Sequence, residues 1–175
     1  ANNSADDKRL ALFDLSTKPW RSGGEHIIVC GQNEKSIAWD QGSTTNWVYK
    51  TIEWIRSQTE RPIWFRPHPR YPVTIDQNKF ANVSISMPKK IEGYDEVDFA
   101  HALQNAYAVV NYNSNPAIES VLAGVPVYVD KSSLCWPVGN DIGSNINVPA
   151  TPDRTQWLEQ ISYTEWFVEE IKQGL

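Results

Sequence analysis

The sequence has few cysteines and no long apolar run, and each shortage excludes a class of protein. Its two cysteines, Cys30 in an apolar stretch and Cys135 in a loop-like one, form neither a disulfide framework nor a metal-ligand spacing. We therefore expect free thiols and no metal site. No apolar run approaches about 18 residues, and no charged-then-apolar leader is present. We expect no integral membrane segment and a cytoplasmic protein.

An excess of positive charge is also missing, because the net charge is −5. Proteins that bind nucleic acids or anionic membranes neutralise phosphates with Lys and Arg, so we expect neither partner. Locally the balance reverses, since basic residues gather between positions 56 and 70. They are Arg56, Arg61, Arg66, His68 and Arg70. One basic site in an acidic protein suits a small anionic ligand.

The composition is that of a globular protein, with 175 residues, 41% apolar residues and eight tryptophans. A chain of this length can bury a sizeable core as one α/β domain. Residues 1–25 are mostly polar, so we predict a tail and connector there and a single domain over residues 26–175.

The most informative stretch is a predicted β-α-β unit between Tyr107 and Asp130. Residues 108–112 are β-branched and aromatic, which predicts a strand, and residues 126–129 predict a second strand. Between them, Pro116 suits the first position of a helix that Gly124 ends, with Asn115 as its cap. Ser114 and the amides of the Asn-Ser-Asn turn would favour a phosphate there. The alternative is that these residues only cap the helix.

The rest of the chain alternates predicted strands and helices. Strands are expected at residues 26–31, 62–65 and 83–87, and helices at 44–58 and 95–105, with amphipathic segments at 153–160 and 163–172. This alternation predicts an α/β fold, a Rossmann-like doubly wound and mainly parallel sheet with helices on both faces.

Three polar loops are expected to meet where the order of the strands reverses, between the first strand and the fourth. Ligands of doubly wound sheets bind beyond the carboxyl ends of those strands. The loops are Gly31–Gln32, Arg66–Arg70 and Asn113–Asn115. No Gly-x-Gly-x-x-Gly or phosphate-loop motif follows a strand, which argues against a dinucleotide enzyme or a simple nucleoside triphosphatase. No Ser/His/Asp or paired-carboxylate motif is evident either.

Two of these loops carry a resemblance to a known family. Arg66-Pro67-His68-Pro69, then Asn113-Ser114-Asn115, then residues 117–127 resemble the donor-binding, carboxyl-terminal half of GT-B glycosyltransferases. The chain is most similar to capsule-polysaccharide Kdo transferases and bacterial sialyltransferases, which have a His-Pro motif and a later Ser-rich motif. The resemblance covers residues 27–129. Its second part, Ser-x-x-x-x-Glu-x-x-x-x-Gly-x-Pro from Ser114 to Pro126, is shared with UDP-sugar enzymes.

The resemblance implies a nucleotide sugar as substrate, a glycan acceptor and no cofactor. His68 would contact the donor phosphate and help the nucleotide leave, Ser114 would hold the same phosphate, and Glu119 would accept from ribose hydroxyls. The remaining predicted contacts are Gly31, Gln32, Arg66, Arg70, Asn113 and Asn115. Against these roles, a histidine beside prolines is often only a loop hydrogen-bonder, and a helix glutamate is often solvated.

The chain also departs from the family. A GT-B enzyme has two such domains, and the amino-terminal one carries the general base in an Asp/Glu-Asp/Glu-Gly motif, for which residues 1–25 leave no room. We expect a fragment or carboxyl-terminal domain of a larger transferase that lacks its acceptor domain, or a chain whose partner supplies the base. The alternatives are a non-catalytic nucleotide-binding or interaction module, a UDP-sugar epimerase-like domain and a sheet that only supports oligomerisation.

Overall fold

The computed structural model describes residues 9–10, 14–89, 98–164 and 172. The chain divides into two compact units, one of Lys18–Thr151 and one of Ala1–Thr17 with Pro152–Leu175. The bounds predicted from the sequence, a tail over 1–25 and a domain over 26–175, stay a prediction.

The larger unit contains a six-stranded sheet in its described part, and every neighbouring pair of strands is parallel. The strands are β1 (His26–Cys30), β2 (Ile63–Arg66), β3 (Val83–Ile85), β4 (Ala106–Val110), β5 (Val127–Val129) and β6 (Asn140–Asp141). Their order is β3-β2-β1-β4-β5-β6, so the direction reverses between β1 and β4 as predicted. The α/β Rossmann-like fold class is confirmed.

Helices connect these strands across both faces of the sheet. They are α1 (Thr44–Arg56), α2 (Phe99–Ala102) and α3 (Pro116–Leu122) in the larger unit, and α4 (Thr155–Ile161) in the smaller one. The β1-α1-β2 and β4-α3-β5 connections run in opposite directions along the sheet. Because parallel crossovers are right-handed, opposite directions place α1 and α3 on opposite faces.

Helix α1 shows how the sequence specifies an element. Ser43 caps it by accepting a hydrogen bond from the Asn46 N–H (3.4 Å), and the predicted apolar stripe is buried. Ile52 and Ile55 are wholly inaccessible to solvent, in one core cluster with Ile27 of β1. Spaced three and four residues apart, such side chains line one helix face, which here covers the sheet.

Several predicted elements differ from the structure at their ends. The fourth strand begins two residues earlier than predicted, at Ala106, and the third ends at Ile85, before the exposed Met87. Strand β6 was missed, because Asn140 and Asp141 carry no apolar pattern. Of the helix predicted at 95–105, Phe99–Ala102 is helical and residues 95–97 lie outside the described residues. Most of the segment predicted at 163–172 also lies outside them.

Two further expectations concern the membrane and the cysteines. Among the described helices, none combines the length and the apolar character that crossing a bilayer requires. Both Cys30 and Cys135 are free, as predicted, and both are buried.

A buried histidine makes the stability of the sheet depend on pH. His26 in β1 stacks on Trp64 in β2, with ring centroids 3.7 Å apart, and its Nε2–H donates to the Ala102 carbonyl oxygen (3.1 Å). Desolvation lowers the pKa of His26, although the Ala102 carbonyl opposes the shift. The unfolded chain therefore takes up this proton more readily, so the stability is fully present above about pH 6.5 and declines as the pH falls.

We expect the melting temperature to fall between about pH 7.5 and pH 5.5, and His26→Gln to flatten that fall. Glutamine keeps an amide donor for Ala102 but does not titrate. The control is His101→Gln, which changes an exposed histidine. Thermal unfolding followed by circular dichroism measures the slope, and an equal slope in wild type and His26→Gln would contradict the assignment.

Candidate functional site

A cleft of about 430 Å³ opens at the carboxyl ends of β1, β2 and β4. All but two of the predicted site residues line it. They are Gly31, Arg66, His68, Arg70, Ser114, Asn115 and Glu119. The structure therefore brings the three predicted loops together at the edge of the sheet where doubly wound folds bind ligands.

A larger open cavity of about 760 Å³ lies at the other edge of the sheet. It is lined by Gly24 and Glu25, which precede β1, and by Gln104 and Asn105, which precede β4. These are the amino ends of parallel strands, and no predicted site residue is among them. We therefore regard the smaller cleft as the candidate site.

The loop that carries His68 is pressed against the end of β1. The Gly31 N–H donates to the Arg66 carbonyl oxygen (2.8 Å), and a Cβ at Gly31 would lie 3.1 Å from His68 N and 3.2 Å from Pro67 Cα. Glycine thus allows the two backbones to approach closely. Pro67 and Pro69 fix the backbone on either side of His68. The position of the imidazole is set by this packing.

Hydrogen bonding defines the tautomer of His68. Its Nδ1 accepts from the Arg70 N–H (3.2 Å), so a neutral ring carries its proton on Nε2. The side chain is half-buried, and the Tyr71 ring lies 6.0 Å away between centroids. Neutral or protonated, His68 is a hydrogen-bond donor through Nε2.

Ser114 is held by Asn111, a residue that sequence reasoning did not include in the site. The Asn111 Nδ2 donates to the Ser114 Oγ (2.8 Å), and the Ser114 N–H donates to the Asn111 Oδ1 (2.8 Å). Asn111 is completely buried. Because the Ser114 Oγ accepts from Asn111, its own proton is left to donate to another group. The signal in the sequence was a polar residue directly after an apolar strand.

Asn115 occupies the N-cap position of helix α3, as predicted, but it does not cap the helix with its side chain. Its φ and ψ are −52° and −31°, which is helical backbone, and its side chain makes no capping hydrogen bond. A capping side chain reaches the second or third amide only from an extended backbone. The turn is instead closed by the Asn111 and Ser114 pair. Pro116 does begin the helix, as predicted.

Gln32 and Asn113 lie beside the cleft and do not line it. The Gln32 Nε2 donates to the Asn113 Oδ1 (2.6 Å), and the Asn113 Nδ2 donates to the Ala38 carbonyl oxygen (3.2 Å) and to the Ser132 Oγ (3.1 Å). This clamp joins the loops that follow β1, β4 and β5. The two amides therefore bind neighbouring loops, and their role as direct ligand contacts stays a prediction.

Arg66 is the buried cation of the cleft, with 5% of its side chain exposed. Its guanidinium forms an ion pair with Asp98, and its Nη1 donates to the Ser86 Oγ (3.4 Å). Asp98 also accepts from the Lys89 N–H (2.9 Å). Desolvation raises the pKa of Asp98, but the hydrogen bonds from the Lys89 N–H and the Arg66 guanidinium, with the charge of Arg66, outweigh it and hold the pKa below its usual value.

Glu119 faces the same cleft from helix α3. Although the residue is exposed overall, desolvation of its carboxyl raises the pKa, and the charge of Arg66 opposes that shift. A carboxylate here accepts hydrogen bonds from hydroxyl groups. Cys30 lies in the same lining, and burial raises the pKa of its thiol to about 12. It therefore stays protonated at neutral pH and is no nucleophile.

The cleft thus combines hydrogen-bond donors and a carboxylate. His68 and Ser114 can donate to an anion, and Glu119 can accept from hydroxyls. Within the part of the chain that the structure describes, no group of three or more His, Cys, Asp or Glu could hold a metal ion. Comparison with family models, curated proteins and solved structures finds no match for this chain.

Proposed function

We propose that the cleft binds a nucleotide-activated sugar, CMP- or UDP-linked, and that the chain is the donor-binding domain of a cytoplasmic glycosyltransferase for surface polysaccharide or glycan synthesis. The observation that carries the proposal is the presence of His68, Ser114 and Glu119 in one cleft. That cleft lies where a Rossmann-like sheet receives nucleotides.

The chemistry of sugar transfer assigns a task to each group. Negative charge grows on the donor phosphate as the bond to the sugar breaks, and donors placed at that oxygen stabilise the transition state. The His68 Nε2–H and the Ser114 hydroxyl supply such donors, and a protonated His68 also supplies charge or a proton. The Glu119 carboxylate accepts from the two ribose hydroxyls.

Transfer also needs a general base that deprotonates the acceptor. Among the described residues that line the cleft, Glu119 is the one carboxylate, and the proposal assigns it to the ribose. We propose that the base comes from a further domain or a partner chain, which would also bind the glycan acceptor.

The lack of a second carboxylate among the described residues that line the cleft also favours a second candidate function. This candidate is a module that binds nucleotides without catalysis. The two differ in turnover once the acceptor-binding part is present. Hydrolysis or transfer of a CMP- or UDP-sugar by such an assembly supports the transferase. Nucleotide binding with no turnover in it supports the module.

The test of the proposal is the affinity for CMP, measured by calorimetric titration. We expect His68→Ala and Ser114→Ala each to weaken binding by about 1–3 kcal/mol, the range for hydrogen bonds to charged groups. The double variant should lose less than the sum, because both groups donate to one phosphate and are coupled. Cytidine, which lacks the phosphate, should bind wild type and variants alike.

Matched controls separate the site from general destabilisation. His101→Ala and Ser84→Ala remove an exposed histidine and an exposed serine outside the cleft, and we expect both to keep the affinity of wild type. Unchanged CMP affinity in both cleft variants, together with lower thermal stability, would mean that His68 and Ser114 serve only the loop and the turn.

A further inference from the structure

The larger cavity, of about 760 Å³, lies at the amino ends of β1 and β4 and takes no part in the proposed function. Among the described residues, it is lined by Arg21, Gly23, Gly24, Glu25, Gln104 and Asn105. The Glu25 N–H donates to the Asn105 carbonyl oxygen (2.7 Å), which ties the two walls together. A Cβ at Gly24 would overlap the backbone at the start of β4, so glycine allows the walls to meet. The shape of this amino-edge cavity is therefore fixed by the backbone.

Most polar side chains of the amino-edge cavity have no partner within the described parts of the chain. No described residue forms a hydrogen bond or an ion pair with the side chains of Glu25, Gln104 and Asn105. Arg21 is half-buried and anchored, because its Nη1 donates to the Leu103 carbonyl oxygen (2.5 Å). Its Nε and Nη2 have no partner among the same residues. A carboxylate, two amides and part of a guanidinium can therefore bind a ligand.

This set of groups both donates and accepts hydrogen bonds. The guanidinium and the amide nitrogens donate, whereas the carboxylate and the amide oxygens accept. Each hydroxyl of a sugar also does both, and neighbouring ring hydroxyls match the two polar atoms of an amide or the fork of a guanidinium. An ionised phosphate only accepts, so it would leave the Glu25 carboxylate and the amide oxygens unpaired. An apolar ligand would leave all of these groups unpaired, at a cost for each one that it desolvates.

We propose that the amino-edge cavity is a second binding site, for a carbohydrate, separate from the nucleotide cleft. Strand β1, from His26 to Cys30, runs from one site to the other. At about 3.3 Å per residue, its length places the two sites roughly 15 Å apart, so both can be occupied at once. Carbohydrate binding here does not depend on the proposed function. Only the identity of the carbohydrate rests on it, because a transferase that extends a glycan would hold a distant part of that glycan in this cavity.

Gly23→Trp tests the site by filling it. A Cβ at Gly23 has no atom within 4 Å, and the φ of this residue lies outside the left-handed region, so the backbone can carry a large side chain without strain. The probe is an array of immobilised neutral and acidic oligosaccharides, and the one that binds best is then titrated calorimetrically. We expect wild type to bind it and Gly23→Trp to weaken that binding at least about tenfold.

Gln77→Trp is the matched control, because it adds the same indole at an exposed residue outside both linings. It should keep the oligosaccharide affinity of wild type. Gln104→Ala is a second test that leaves the backbone unchanged, in case Gly23→Trp does not fold. It removes one amide from the lining, and we expect binding about three- to tenfold weaker, with Gln77→Ala as its control. All four variants should bind CMP as wild type does.

Three results would overturn the inference. In the first, wild type binds no oligosaccharide on the array. In the second, oligosaccharide binding survives both Gly23→Trp and Gln104→Ala, which would place the carbohydrate elsewhere. In the third, saturating CMP displaces the oligosaccharide, which would place it in the nucleotide cleft. The affinity for CMP is measured separately, so each of these results leaves the proposed function to its own test.

Discussion

Gly124→Ala is expected to lower the free energy of unfolding by about 3–4 kcal/mol, a large loss for one methyl group. Gly124 has φ +77°, where a side chain costs about 1–2 kcal/mol. Its Cβ would also overlap the Pro19 carbonyl oxygen and lie 3.0 Å from the Lys18 carbonyl oxygen. The backbone of residues 18–21 is tied to this turn, since the Lys18 N–H donates to Leu122 O (2.8 Å) and the Arg21 N–H to Gly124 O (2.8 Å).

Gly42→Ala is the matched control, because Gly42 has φ +68° and no atom within 4 Å of the added Cβ. It should cost only the conformational part, about 1 kcal/mol. Urea unfolding of both variants isolates the overlap with Pro19 as the difference between them. Equal losses would mean that residues 18–21 move aside at no cost.

Asn111→Asp should weaken CMP binding by about 100-fold, near the upper end of the range expected for the cleft variants. The introduced carboxylate still accepts from the Ser114 N–H, but it cannot donate to the Ser114 Oγ. The serine hydroxyl then turns to donate to the carboxylate. The ligand loses a donor and meets a buried negative charge, and both effects oppose an anion.

The control for this variant is Asn145→Asp, which adds the same charge at an exposed turn where the Oδ1 accepts from the Asn147 N–H (3.0 Å). Its CMP affinity should equal that of wild type. Calorimetry on folded protein, with folding checked by near-ultraviolet circular dichroism, makes the comparison. An Asn111→Asp variant that folds and binds CMP normally would show that Ser114 does not donate to the phosphate.

The strands of the fold were predictable where a strand is buried on both faces of the sheet, because its sequence is then a continuous apolar run. Strand β1, from His26 to Cys30, is buried throughout, and such runs predict parallel strands directly. Strand β6 lies at the edge of the sheet and has only Asn140 and Asp141, whose pairing with Tyr128 and Val129 is set by the neighbouring chain. The hydrophobic periodicity of a segment cannot predict a strand that forms only because it pairs with a neighbouring strand.

The candidate site likewise has features that the sequence predicts and features that it does not. The topology rule placed the loops after β1, β2 and β4 together, and it needed only the order of the strands. The pairing of Arg66 with Asp98 spans 32 positions. This pairing depends on the path of the chain after β3, which brings Asp98 back to the end of β2. No local sequence pattern predicts that path. Gln32 and Asn113 meet across 81 positions, where the Gln32 Nε2 donates to the Asn113 Oδ1, and residue type alone had suggested ligand contacts there.

The order of the strands also bears on how the chain folds as it is synthesised. Strand β1 is central, and Ile27 pairs with Ile63 on one side and with Ala108 on the other. The first partner follows within one crossover, whereas the second is separated by more than half of the larger unit. Closing that long loop costs entropy before any contact compensates for it. A nascent chain therefore exposes one edge of β1 until β4 leaves the ribosome, and the crevice between them can form only after the chain of the β1-β2-β3 half of the sheet is complete.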